Sequence, residues 1–219
     1  MLELSSIQKI AVWVLPVLFA ITIHEAAHAW MASRLGDTTA KMLGRLSFNP
    51  IKHIDLIGTI IVPISILLLS HFNFVFGWAK PVPINASQFA KPRRDLALAT
   101  AAGPVSNLIM AFLWVICLKL GTMLNPSTSY FALFMVLSGQ AGVIINLLLA
   151  YLNLLPIPPL DGSRIVASIL PIRQAMHFQK IEPYGFFILL FLMFTGVLGW
   201  LIQPPISWSL NGLYSLFNL

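Results

Sequence analysis

The chain has 219 residues, 58% of them hydrophobic and only 9% charged. That balance belongs to a protein of several membrane-embedded helices, with room for one compact bundle and no sizeable soluble domain. The net charge of +6 does not signal nucleic-acid binding, because the Lys and Arg residues sit mostly in polar loops between apolar runs, where orientation signals lie. Cys117 is the one cysteine and lies in an apolar run, so no disulfide framework exists.

Residues 7–33 are predicted as the first membrane helix, about 40 Å long and able to span with tilt. It is expected to remain in place rather than be cleaved as a signal peptide, because it is long and carries a polar motif. That motif is Ile21-Thr-Ile-His24-Glu25-Ala-Ala-His28-Ala-Trp30. On a helix, i and i+4 share a face, so His24 and His28 can hold one Zn²⁺ between them. Glu25 sits about 100° round the same helix, within reach of a proton on zinc-bound water. One ionisable side chain at mid-membrane costs about 2.5–3.5 kcal/mol, so three together need a compensating partner. The blander reading has His and Glu simply pairing with neighbouring helices. His24 lies about 15 Å before Arg34, which sinks the site below the surface on the side of the following loop. Ala26, Ala27, Ala29 and Ala32 let neighbouring helices come close.

Residues 34–55 form a polar loop carrying Arg34, Lys41, Arg45 and Lys52. Within it Arg45-Leu-Ser-Phe48 alternates, which predicts a short strand at the membrane face. Leu56–Ser70 is apolar but short and interrupted by Pro63, and Phe72–Trp78 adds aromatic length. A full crossing would split the basic loops 34–55 and 78–96 between two sides. A re-entrant 56–76 keeps them on one side, as the positive-inside rule prefers, and is the expectation. Gly77-Trp-Ala-Lys80-Pro-Val-Pro-Ile-Asn85 is extended by its prolines. It could offer a strand edge to an unfolded substrate segment, or be a plain connection.

Residues 96–120 make the next span, containing Ala101-Ala-Gly103-Pro104-Val-Ser-Asn107. Gly103 and its alanines allow tight packing, and Pro104 can kink the helix. Asn107 is a buried amide that either orients substrate or bonds a neighbouring helix. A loop without charge, 121–130, leads to a third span over 131–152. Gln140, Asn146 and Asn153 are expected there as roughly one polar stripe.

The helix then breaks at Asn153-Leu-Leu-Pro156-Ile-Pro158-Pro159-Leu160-Asp161-Gly162. Its prolines forbid regular helix, and broken backbone at membrane depth marks a site. Asp161 is the only carboxylate between Asp95 and Glu182. It can cap a helix over Gly162–Leu170, bind metal, or do both. With 56–76 re-entrant, Asp161 arrives on the side of the loop after His28. His53 with Asp55 is the rival ligand source. Arg164, Arg173 and Lys180 keep 162–183 on the loop-rich side; 184–202 is predicted as a last span and 203–219 as an interfacial tail. The expected fold is an all-α polytopic membrane protein with about four spanning helices, a re-entrant segment and short strands at the membrane face. It forms a single domain over 1–219, with core spans at about 7–33, 96–120 and 131–170 and an extra span at 184–202.

Taken together, His24-Glu25-Ala-Ala-His28, Gly103-Pro104-Val-Ser-Asn107 and the Asn153–Gly162 run resemble the site-2 protease family of intramembrane zinc metalloproteases. Gly44-Arg-Leu-Ser-Phe-Asn-Pro50 and Gly77-Trp-Ala-Lys-Pro-Val-Pro83 are similar to a compact prokaryotic subgroup. The resemblance implies cleavage of transmembrane segments of membrane-protein substrates. It implies one zinc ion held by His24, His28 and Asp161, Glu25 as the catalytic residue, and a zinc side facing the cytoplasm from the inner membrane. Larger relatives carry a PDZ or nucleotide-sensing domain, for which 219 residues leave no room. Asn107 and Asn153 are expected to support substrate or oxyanion. Two rivals stand beside this reading. One is a metal transporter with polar residues along a continuous path. The other is a scaffold whose structural zinc is closed by His53, His71 or His177.

Overall fold

The computed structural model describes residues 5–62, 65, 77 and 79–219. No β-strand forms among the described residues. In a bilayer core, backbone groups have no water to bond, so the long apolar runs become helices, which pair those groups internally. Helix α1 (Ser6–Arg34) starts at a capping box, in which Ser5 Oγ accepts from the Gln8 N–H and Gln8 Oε1 accepts from the Ser5 N–H. Helix α2 (Pro92–Met123) has Pro92 in its first turn, where a missing N–H leaves nothing unpaired. Helix α3 (Tyr130–Asn153) begins at Ser129, whose hydroxyl accepts from the Ala132 N–H. After the proline run come α4 (Asp161–Ile169), α5 (Ile172–Gln179), α6 (Gly185–Phe194) and α7 (Val197–Phe217).

Helices α1, α2 and α3 are each long and apolar enough to cross a membrane. Ile172–Phe194 with Val197–Phe217 makes a fourth crossing if the bent pair is one span. The chain is thus an all-α, multi-pass membrane protein. Helix α2 runs antiparallel to α1: Ala32 meets Leu96 and Ala99 at one end, and Asn107 reaches the Ala20 carbonyl further along. It also runs antiparallel to α3, with Asn107 bonded to Asn146 and Cys117 Sγ near the Met135 carbonyl. Ala111, Trp114, Val115, Val143 and Leu147 form the core of this pair. Because α1 ends where α2 begins, the segment between them leaves and returns on one face of the bundle. Loops 34–55 and 78–96 therefore share a side. The expected re-entrant hairpin itself falls largely outside the described residues. Its start, Leu56–Ile61, is a π-helical turn capped by Asp55, whose Oδ1 accepts from the Ile57 and Gly58 N–H groups.

Three expectations change. Arg45–Phe48 forms bends, not a strand, because its polar groups are used locally: the Ser47 carbonyl accepts from His53 Nε2 and Ser47 Oγ accepts from the Asn49 N–H. The core span 131–170, by contrast, breaks at the proline run into α3 and α4 as expected. The single span 184–202 is two pieces, bent by 78° at Gly196, which supplies a φ of +76°. Residues 203–217 are not an interfacial tail. They continue α7 through Pro204 and Pro205, and Ile206, Leu210, Leu213 and Phe217 pack on the α2–α3 core. Prolines are tolerated in membrane helices when neighbours satisfy the freed backbone, so they do not end the helix here.

Candidate metal centre

His24 and His28 project side by side from α1, with ring centroids 4.6 Å apart and planes at 87°. What lies behind each ring fixes which nitrogen carries its proton. Asn107 Nδ2 donates to the Ala20 carbonyl at 3.2 Å and to Asn146 Oδ1 at 2.9 Å, and Asn146 Nδ2 in turn donates to the Gly142 carbonyl. With both its donor hydrogens committed, Asn107 can only accept through Oδ1, so His24 Nδ1–H donates to it at 2.6 Å. His28 Nδ1–H donates to the Ala99 carbonyl at 2.9 Å. In the neutral ring that tautomer presents the Nε2 lone pair on the other side.

Both lone pairs meet the carboxylate that the proline run delivers. Asp161 Oδ2 lies 3.2 Å from His24 Nε2 and 3.2 Å from His28 Nε2, and the two nitrogens are 3.1 Å apart. Asp161 is the first residue of α4. Leu160 holds the N-cap position with no side-chain capping bond, so the expected capping role for Asp161 is absent. Its Oδ2 is buried without a hydrogen-bond donor. An unpaired buried acceptor costs about 1–3 kcal/mol, and here a carboxylate oxygen and two ring nitrogens converge on one point. A shared cation would relieve that arrangement. Bonds of about 2.0 Å meeting at a tetrahedral angle set ligand atoms ~3.3 Å apart, so the observed edges of 3.1–3.2 Å fit a Zn²⁺-sized ion. Among the described residues no further His, Cys, Asp or Glu joins the cluster. His53 is buried with Nε2 on the Ser47 carbonyl, His177 Nδ1 is on the Arg173 carbonyl, and His71 lies outside the described residues.

Gly103 makes the convergence sterically open. A Cβ there would collide with the rings of both His28 and His24. Gly103→Ala is expected to displace both imidazoles. Zinc affinity should fall by about 10–100-fold, with an overpacking cost of about 1–3 kcal/mol in stability. Zinc titration and thermal unfolding of the variant check this, and wild-type affinity would show that α2 shifts away freely.

The remaining site candidates sort differently. Asn107 is fully buried behind His24, with its amide committed to the protein. These bonds to neighbouring helices match one of the two readings open to it. Asn153 turns its Nδ2 back to the Leu149 carbonyl at 2.9 Å, one turn earlier in α3. The expected polar stripe does not exist, since Gln140 is exposed while Asn146 is fully buried. Glu25 Oε2 accepts a hydrogen bond from the Val82 main-chain N–H at 2.9 Å. Neither that amide nor buried Asp37, which anchors the same segment, was picked out by sequence reasoning. The only available signal was the alternation of prolines around Val82.

Residues 128–196 match the family model described as Peptidase family M50. The chain is 38% identical over 208 residues to the candidate zinc metalloprotease YwhC of Bacillus subtilis (strain 168), covering 94% of this chain and 90% of that protein. It is 26% identical over 181 residues to the candidate zinc metalloprotease Rip2 of Mycolicibacterium smegmatis, covering 83% and 66% of the two chains. Against Rip2 of Mycobacterium tuberculosis (strain ATCC 25618 / H37Rv) it is 26% identical over 204 residues, covering 92% and 71%. No solved structure gives a significant match.

Proposed function

The chain belongs to peptidase family M50, the site-2 protease family, and is a metalloprotease; we propose that it hydrolyses peptide bonds within or near transmembrane helices of membrane proteins. His24, His28 and Asp161 hold one zinc ion, Glu25 is the general base, and residues 1–219 act as one membrane-embedded protease domain. The observation that carries this reading is the meeting of two imidazoles from α1 with one carboxylate from the start of α4 at tetrahedral spacing. A ligand set of three protein groups suits a catalytic zinc, which keeps one position open, better than a structural one.

Bound between these side chains, zinc supplies Lewis acidity, bringing the pKa of a water towards ~7 and drawing charge from a peptide carbonyl. His24 and His28 contribute neutral Nε2 lone pairs, kept in that tautomer by Asn107 Oδ1 and the Ala99 carbonyl. Asp161 contributes the one negative charge. Glu25 takes a proton from the attacking water onto its carboxylate and returns it to the leaving amine nitrogen. A helical substrate hides its carbonyls in hydrogen bonds, so it must unwind locally, and helix-breaking residues near the scissile bond favour cleavage. Apart from Lys9 and Lys119, every Lys and Arg lies within 34–94 or 164–180, on the side where α1 ends and α2 begins. By the positive-inside rule this side, and the zinc with it, faces the cytoplasm from the inner membrane.

The test is cleavage of a single-span substrate reconstituted with the protein in vesicles. Zinc-loaded protein should cleave it, a chelator should stop cleavage, and added zinc should restore it. Cleavage confined to soluble, unstructured peptides would remove the membrane substrate. Zinc flux across the vesicle without any cleavage would favour a transporter.

A further inference from the structure

Residues 79–85 run extended past the C-terminal half of α1 as a strap, fixed by its main-chain N–H groups. That of Lys80 donates to the His53 carbonyl at 2.9 Å, that of Val82 to Glu25 Oε2 at 2.9 Å, and that of Asn85 to Asp37 Oδ2 at 2.6 Å. Both end anchors are buried. Asp37 is 0% exposed and its second oxygen accepts from the Thr39 N–H at 2.9 Å, so the whole carboxylate serves the backbone. Val82 is itself buried, packed with Ala29 and Ala40. Ala29 is one helical turn after Glu25 on the same face of α1, so the strap crosses directly over the glutamate.

Glu25 needs such a hold. Its side chain has several rotatable bonds, and a half-buried carboxylate left unheld samples many rotamers, few of which aim at one point. A charge-assisted bond from a fixed amide selects among them. The donor is fixed in advance, because Lys80 and Val82 each precede a proline and are confined to extended backbone before any bond forms. Resting on the assignment of Glu25 as general base, we propose that the Val82 main-chain N–H is a positioning group. It holds Oε2 of Glu25 and leaves Oε1 as the oxygen that takes and returns the proton, while His53 and Asp37 moor the strap.

Val82→Pro tests this with little collateral change, since it deletes the N–H while a Pro-Pro-Pro run keeps the extended course. Val82→Ala is the control, trimming the side chain and keeping the N–H. In the full chain, Val82→Pro should lower kcat by about 10–100-fold, leave KM within about twofold, and keep wild-type zinc content. Val82→Ala should stay near wild type. Equal kcat losses in the two variants, or full kcat in Val82→Pro, overturns the proposal. A second measurement holds even if Val82→Pro folds poorly. Hydrogen exchange at the Val82 amide, read in ¹⁵N-valine-labelled protein, should be slow in wild type and about tenfold faster or more in Glu25→Ala; equal rates overturn it. Turnover retained by Glu25→Gln would sink the assignment of Glu25 as base. A dead Glu25→Gln beside a fully active Val82→Pro would sink only the role given to the amide.

Discussion

Glu25→Gln is expected to keep its zinc and lose cleavage. Glutamine has nearly the same size, and its amide oxygen can still accept from the Val82 N–H. It lacks a carboxylate able to take a proton near neutral pH. A positioned acid–base group contributes about 10²–10⁴-fold, and here one carboxylate serves both proton transfers. We expect kcat to fall by at least about 10³-fold, or ~4 kcal/mol in the barrier. Metal analysis alongside cleavage of a membrane-helix substrate separates the two properties. Turnover within tenfold of wild type would give the proton to another group.

Asp161→Ala should have the opposite signature, a folded protein that no longer holds metal. Removing the carboxylate leaves two neutral imidazoles and no compensating charge. Outer-sphere partners alone are worth 10–100-fold in metal affinity, so loss of a direct ligand should exceed about 10²-fold. The fold should survive, because Asp161 makes no capping bond to α4 and its Oδ2 pairs with no donor. Circular dichroism and gel filtration in detergent should match wild type while zinc content falls far below one per chain. Undiminished zinc would reduce Asp161 to a buried polar group next to two histidines.

Helix periodicity put the two histidines on one face, and backbone punctuation put the aspartate just after a break. His24 and His28 lie one turn apart, which fixes their common face whatever surrounds them. Asp161 follows prolines that no helix accommodates, which fixes a break at membrane depth. The sorting of Asn107 was not legible, because a helical residue's neighbours depend on how α1, α2 and α3 rotate against one another, and sequence spacing does not set that rotation. Asn146 and Gln140 show the same limit, with similar side chains on one helix buried in one case and exposed in the other. The course of 203–217 was misread because an uncharged end with Trp208, Tyr214 and Phe217 suits a membrane surface, which outweighed the apolar repeat Ile206, Leu210, Leu213 that docks α7 on the core. The Val82 amide escaped notice because a main-chain donor leaves no mark in a side-chain pattern.

The strap also limits what can lie beside it. Lys80, Val82 and Asn85 commit their amides to the body of the protein, and Pro81 and Pro83 have none. Ala79 and Ile84 are then the remaining amides over 79–85, too few and too far apart to build a ladder with an incoming chain. Two molecules crowded in one bilayer cannot zip together along this rim, a hazard that extended segments ordinarily carry. The prolines that stiffen the segment thus also keep it from becoming a seed for aggregation.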